Sequence, residues 1–258
     1  MNLSGNSSAN NPRVASYDNN VYVVWTDNSS KGNGDIIFRK SADKGTTFDD
    51  AENLSNNPGN STDPLITAHR NNVYVIWTDD TTGNADIIFR KSSDYGNNFN
   101  RTINLSRNNG SSISPQLAAI DNNVYVVWTD NTTGKDDINF RKSSDYGKEF
   151  AGESNLSENL TGSFNPKLAG LDREKIYVTW TAGTNDKSEV FFTATGDSGE
   201  HFDNALNLSR SALASDSPYI AAYQNDVYLV WVEADSSESG GDILFKRLSE
   251  VFFPRNTK

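Results

Sequence analysis

The tripeptide Asn-Leu-Ser begins at Asn2, Asn53, Asn104, Asn155 and Asn207, at spacings of 51, 51, 51 and 52 residues. Tryptophans keep the same beat at Trp25, Trp77, Trp128, Trp180 and Trp231. Five units, 2–52, 53–103, 104–154, 155–206 and 207–258, therefore account for the chain as one repeated domain. A fixed period of this length constrains the fold more than any single motif, because each unit must be one supersecondary element stacked on its neighbours.

Each unit reads as four strands. The first is short and follows a proline, as in Pro115-Gln-Leu-Ala-Ala. The second, Val124 to Thr129 in unit three, is β-branched and aromatic on both alternating faces, which suits a strand covered on both sides. The third, as at Asp86 to Lys91, ends in charges and is expected to be more exposed. The fourth is weak and includes Asn-Leu-Ser. Clusters of Asn, Asp, Gly, Ser and Thr separate the strands, and no stretch sustains a helical period. Four antiparallel strands per unit, repeated radially, predict an all-β, five-bladed β-propeller. The chain opens on Asn2-Leu3-Ser4 without inner strands before it, and the fifth unit loses its outer hairpin after Arg247. The N-terminal segment is therefore expected to complete the fifth blade and close the ring, with Val251-Phe252-Phe253 as the competing strand.

Ser41-Ala-Asp43-Lys-Gly45-Thr-Thr47-Phe48 resembles the Asp-box of bacterial-neuraminidase-repeat propellers, with close copies at Ser92–Phe99 and Ser143–Phe150 and a looser one at Thr195–Phe202. A short Asp can bond nearby backbone N–H groups in a tight turn, Gly permits positive φ, and the terminal Phe pins the hairpin to the blade. The resemblance implies a sialidase-like fold, with Asp43, Asp94, Asp145 and Asp197 structural and remote from the family's usual ligand face.

A net charge of −11 argues against nucleic acid or anionic membranes as partners, and no apolar run is long enough to cross a bilayer. The absence of cysteine removes thiol catalysis, disulfides and Cys-ligated zinc. The two histidines, His69 and His201, do not match in the repeat, so no His-based metal site is expected. Met1 leads straight into Asn and Ser, without a signal peptide, yet about a dozen Asn-x-Ser/Thr sequons and the family's habits point to an extracellular or cell-surface setting.

Differences between equivalent positions mark the candidate site. After the strand-opening proline come Arg13, Leu65, Gln116, Lys167 and Tyr219, followed by the uniformly aliphatic Val14, Ile66, Leu117, Leu168 and Ile220. The variable set is expected to ring the mouth of the central channel and the aliphatic set to pack between blades. Arg13, Gln116, Lys167, Tyr219 and Tyr223 are the candidate ligand contacts. Asp27 with Asp35, Asp79 with Asp86, and Asp130 with Asp136 recur in oxygen-rich loops that could hold Ca²⁺, although repetition in each blade favours turn chemistry. No other cofactor is implied. The resembled family grips a substrate carboxylate with three arginines, but Arg39, Arg90 and Arg141 are equivalent in successive units and so spread apart. Glu233, Asp235 and Asp186 are the acids available to a glycosidase. The leading expectation is a non-catalytic module binding a glycan or protein around the channel. A sialidase-like glycoside hydrolase and a structural surface-array protein are the alternatives.

Overall fold

The computed structural model describes residues 1–5, 8–29, 33–184, 187–235 and 240–249. Nineteen strands form five antiparallel sheets, and no helix occurs among the described residues. The first sheet holds β1 (Ala9–Tyr17), β2 (Asn20–Asp27), β3 (Asp35–Ser41) and β4 (Glu52–Asn53) in sequence order. The second holds β5 (Ser61–His69), β6 (Asn72–Asp79), β7 (Asp86–Ser92) and β8 (Ile103–Asn104). The third holds β9 (Ser112–Ile120), β10 (Asn123–Asp130), β11 (Asp137–Ser143) and β12 (Ser154–Asn155). The fourth holds β13 (Ser163–Gly170), β14 (Ile176–Ala182), β15 (Glu189–Thr195) and β16 (Leu206–Asn207). The fifth has three strands, β17 (Ser215–Tyr223), β18 (Asp226–Ala234) and β19 (Gly241–Ser249). These are the blades of a five-bladed β-propeller.

The chain divides into two compact units, residues 1–126 with 143–151 and residues 127–142 with 152–258. In the first, Tyr22, Val24, Ile36 and Phe38 of the first sheet pack against Val73, Val75, Trp77 and Ile88 of the second. In the other, Tyr177, Val190 and Phe192 of the fourth sheet pack against Val227, Leu229 and Trp231 of the fifth. The second strand thus serves two neighbours: its Tyr faces one sheet and its Trp the other. That is why the Val-Tyr-Val-Val-Trp run is apolar at every position.

The third strands depart from expectation. β7 and β11 are as buried as the strands beside them, with Lys91 and Lys142 largely covered. The charges are accommodated because they are paired. Lys91 Nζ donates to the Tyr146 carbonyl at 2.6 Å, and Lys142 Nζ donates to the Ser198 carbonyl at 3.2 Å and to Glu200. Arg39 Nη1 donates to the Leu3 carbonyl and Arg90 Nη1 to that of Leu54, both at 2.9 Å. Lys246 reaches the Leu208 carbonyl at 3.1 Å.

The Ser-x-Asp-x-Gly turns are self-contained. Asp43 accepts from Ser41 Oγ at 2.7 Å, from Thr47 N at 2.8 Å and from Thr47 Oγ1 at 2.6 Å, while Gly45 N donates to Ser41 Oγ at 2.8 Å. Asp94, Asp145 and Asp197 repeat the arrangement, with His201 Nδ1 2.8 Å from Asp197 in place of the second Thr. The terminal Phe pins the hairpin by packing on the preceding blade. Phe99 meets Phe38 edge-on at 4.9 Å, Phe150 meets Phe89 at 5.0 Å, and Phe202 meets Phe140 at 4.8 Å. The turn is a keystone between neighbouring sheets.

Asn2-Leu3-Ser4 does not form the expected closing strand. It makes a turn in which Asn2 Oδ1 accepts from Gly5 N at 3.1 Å, the turn that Asn53 makes with Asn56 N at 2.9 Å just after β4. Leu3 nevertheless stands to Arg39 as Leu54 stands to Arg90. Val251–Phe253 lies outside the described residues.

Candidate functional site

The first strand of every sheet carries the same distortion. Asn11, Asp63, Ser114, Asn165 and Ser217, each immediately before a proline, adopt left-handed φ between 49° and 54°. The pairing register shifts there, between Asn10 and Arg13, Thr62 and Leu65, Phe164 and Lys167, and Asp216 and Tyr219. A β-bulge of this kind bends the strand and re-aims the next side chains. A non-glycine residue held in this region costs of order 1–3 kcal/mol, and such strain clusters at functional sites. Asn and Asp tolerate the conformation better than Ser, which makes Ser114 and Ser217 the more strained positions. In the sequence these residues are marked only by an X-Pro step recurring at one repeat position.

In the first unit the bulges are linked: Asn11 Nδ2 donates to Asp63 Oδ1 at 2.7 Å. Arg13 is exposed, its Nη1 donating to the Pro12 carbonyl at 3.1 Å. Gln116 is half-buried and its Nε2 donates to the Pro115 carbonyl at 2.8 Å. In the second unit the structure brings two candidates together. Lys167 Nζ lies 5.3 Å from the ring centroid of Tyr219, a cation–π geometry. Burial pushes the Lys167 ammonium below the usual lysine range, with nearby Asp216 opposing the shift. Asp216 accepts from Thr181 Oγ1 at 2.8 Å. Tyr219 remains 62 % exposed. Tyr223, also exposed, lies four residues along the same face of β17. This pair of sheets thus offers a partly desolvated cation beside an accessible aromatic plate.

The loop carboxylates are occupied by donors. Asp79 Oδ2 accepts from Asn57 Nδ2 at 2.6 Å and Ser61 Oγ at 2.7 Å, and its Oδ1 from Thr81 N at 3.0 Å. Burial alone would raise its pKa, but these bonds outweigh burial and hold it below the usual value. Asp86 accepts from Thr82 Oγ1 at 2.7 Å and Ser106 Oγ at 2.6 Å. Asp27 accepts from Ser29 N, Asp35 from Ser55 Oγ and Asp130 from Thr132 N. The pairing of Asp130 with Asp136 is corrected: Asp136 is exposed, and Asp137 holds the equivalent buried position, bonded by Thr133 Oγ1 at 2.6 Å and Lys135 Nζ at 2.9 Å. The two loops are of equal length, and Asp136 stands where the second unit has Ala85. No group of three or more metal-ligating side chains occurs among the described residues.

Of the acids weighed for glycoside chemistry, Glu233 accepts from Ser215 Oγ at 3.2 Å, the role Asp79 plays towards Ser61. Asp235 follows on the loop beyond β18, and Asp186 lies outside the described residues. Arg39 and Arg90 spend their guanidiniums on backbone carbonyls.

No protein-family model matches the chain, and no curated protein matches it. Solved structures do. A polysaccharide lyase of family PL25, an ulvan lyase, superposes with a TM-score of 0.61 at 13% identity, over 94% of this chain and 65% of that one. A Hadza microbial sialidase gives 0.57 at 12%, over 94% and 56%. The GH93 α-L-arabinofuranosidase of Fusarium graminearum gives 0.63 at 13%, over 92% and 80%. The chain thus spans less than two thirds of the lyase and sialidase chains. At such identities the likeness is one of fold alone, an all-β propeller consistent with a sialidase-like architecture.

Proposed function

We propose that this propeller is a non-catalytic, extracellular module that binds an anionic glycan at the bulged ends of its first strands. The observation that carries the reading is the ammonium of Lys167 over the exposed ring of Tyr219. A sugar stacks on an aromatic plate, and a carboxylate or sulfate on that sugar pairs with a partly desolvated cation more strongly than with a hydrated one. Arg13, Gln116 and Tyr223 are the other contacts in this reading. Support also comes from the carbohydrate-active enzymes among the fold's neighbours. The test is a glycan array containing uronic-acid, sulfated and sialylated oligosaccharides, run with and without Ca²⁺. Binding lost on Tyr219→Ala and Lys167→Ala, with the fold intact, sustains the proposal; retention by both variants removes this site.

The second reading, a sialidase-like glycoside hydrolase, is favoured by the sialidase and arabinofuranosidase neighbours. Glu233 is the acid to test, with Asp235 beside it. Turnover of fluorogenic glycosides that is abolished by Glu233→Gln, but not by the outlying Glu174→Gln, would establish it over the first.

A further inference from the structure

Asp216 is the one acid at its position in the repeat. Two places before the strand-opening proline, the other four units carry Asn10, Thr62, Ile113 and Phe164. Its partner on the fourth sheet is Thr181, whose Oγ1 donates to Asp216 Oδ1 at 2.8 Å. The equivalent hydroxyls of Thr26, Thr78 and Thr129 are buried without a protein partner. The threonine is therefore common to four sheets, and the carboxylate that engages it is the local addition.

Asp216 stands at the bulge that also sets Tyr219, and its charge acts on Lys167. Ser217 N donates at 2.5 Å to the same Oδ1 that Thr181 uses, so both bonds converge on one oxygen and Oδ2 keeps its lone pairs. No ion pair joins Asp216 to Lys167; Lys167 Nζ donates instead to the Pro166 carbonyl at 3.3 Å. A half-buried cation, a half-buried carboxylate and an exposed ring thus stand side by side, all within the second compact unit.

A site that only collects anions gains nothing from a carboxylate beside its cation, because the carboxylate repels every anion that approaches. Its use is discrimination. A sugar carboxylate pairs with Lys167 while a hydroxyl of the same ring donates to Asp216 Oδ2 in a charge-assisted bond. A sugar sulfated at that hydroxyl has no proton to give and sets a second negative charge against Asp216. We infer that Asp216 is a specificity-determining residue, selecting a uronate sugar with a free hydroxyl beside its carboxylate over a polysulfated sugar, and that Thr181 is the positioning residue that holds it. The inference rests on the anionic-glycan reading and names the class of glycan within it.

The experiment is isothermal titration of the full chain with polygalacturonate, which carries carboxylates beside free hydroxyls, and with dextran sulfate at matched concentration of charge. The wild type is expected to favour polygalacturonate. Asp216→Asn keeps an oxygen for Thr181 and Ser217 but drops the charge. It is expected to move the ratio of the two affinities toward dextran sulfate by about tenfold or more, the worth of one charge-assisted bond. Thr181→Val, a side chain the fifth sheet accepts at Val232, is expected to move the ratio the same way by a smaller factor. Lys167→Ala is expected to weaken binding of both polymers. A ratio unchanged in both Asp216→Asn and Thr181→Val, with both polymers still bound, overturns the inference and leaves the glycan reading standing. A wild type that prefers dextran sulfate also overturns it. A shift in Asp216→Asn alone sustains Asp216 and removes Thr181. A wild type that binds neither polymer overturns the glycan reading, and the inference with it.

Discussion

Arg90 on β7 donates to the carbonyl oxygen of Leu54 at 2.9 Å, tying the third strand of one sheet to the outer segment of the sheet before it. The same guanidinium donates to the carbonyls of Asn100 at 2.8 Å and Phe99 at 3.1 Å, so one side chain serves three backbone acceptors. Arg90→Ala leaves these carbonyls without their charged donor and is expected to destabilise the fold by about 2–3 kcal/mol. Arg90→Lys should recover part of that, because Lys246 makes the single equivalent bond in the fifth sheet. Urea unfolding followed by tryptophan fluorescence measures both, with the exposed Arg101→Ala as a control that should not move.

The turn aspartates set an acid limit. Hydrogen bonds from Thr47 and Ser41 hold Asp43 down at about 2. Asp94 and Asp197 also lie at about 2, where bonds from the turn outweigh the opposing effect of burial. A carboxylate whose folded pKa is depressed stabilises the fold fully above its unfolded pKa, about 4, and loses that contribution as pH falls through the folded value. The thermal midpoint is therefore expected to drop between about pH 4 and pH 2. A variant with Asp43, Asp94 and Asp197 changed to Asn should melt lower at neutral pH and show a flatter acid limb. Equal slopes in the two proteins would count against the turns as its source.

Gly147 and Gly134 separate packing from backbone strain. Both have positive φ, +75° and +88°, but a Cβ on Gly147 would meet Phe89 Cζ at 2.9 Å whereas one on Gly134 meets nothing within 4 Å. Gly134→Ala is expected to cost about 1 kcal/mol through conformation alone. Gly147→Ala should cost clearly more and loosen the Phe89–Phe150 contact. Calorimetric melting of the two variants is the comparison.

At the candidate ligand site, Tyr219→Ala should leave stability within about 0.5 kcal/mol of wild type, since the ring is exposed. Its effect is expected in retention on an anionic polysaccharide column. Because burial lowers the Lys167 pKa, that retention should weaken as pH rises at a lower pH than an exposed lysine would give. In Lys167→Arg, which stays charged, the loss should vanish.

The repeat made the blades legible, since a Trp every 51 or 52 residues on a run apolar at every position fixes the second strand and its two covered faces. Charges misled where they were paired through space. Lys91 and Arg90 suggest an exposed strand until their carbonyl partners, 55 and 36 residues away, are known. The mis-set Asp136 shows the same limit at short range, because of two adjacent carboxylates only Asp137 is buried, and Asp136 answers to Ala85 of the second unit. At the site, spacing put Lys167 and Tyr219 in one class of position, but their approach depends on a bulge at Asn165 and Ser217. Left-handed φ at a residue before proline is set by the sheet around it, and local preference gives no warning of it.

The outer strands β4, β8, β12 and β16 are only two residues long. A strand that short exposes too few unpaired N–H and C=O groups to template another chain in cross-β fashion. These four rims are thereby blunted against amyloid-like stacking, despite an interior rich in valine, isoleucine and aromatic side chains. Their brevity is a solubility device, with arginine and serine contacts holding in place what a longer ladder would otherwise have to.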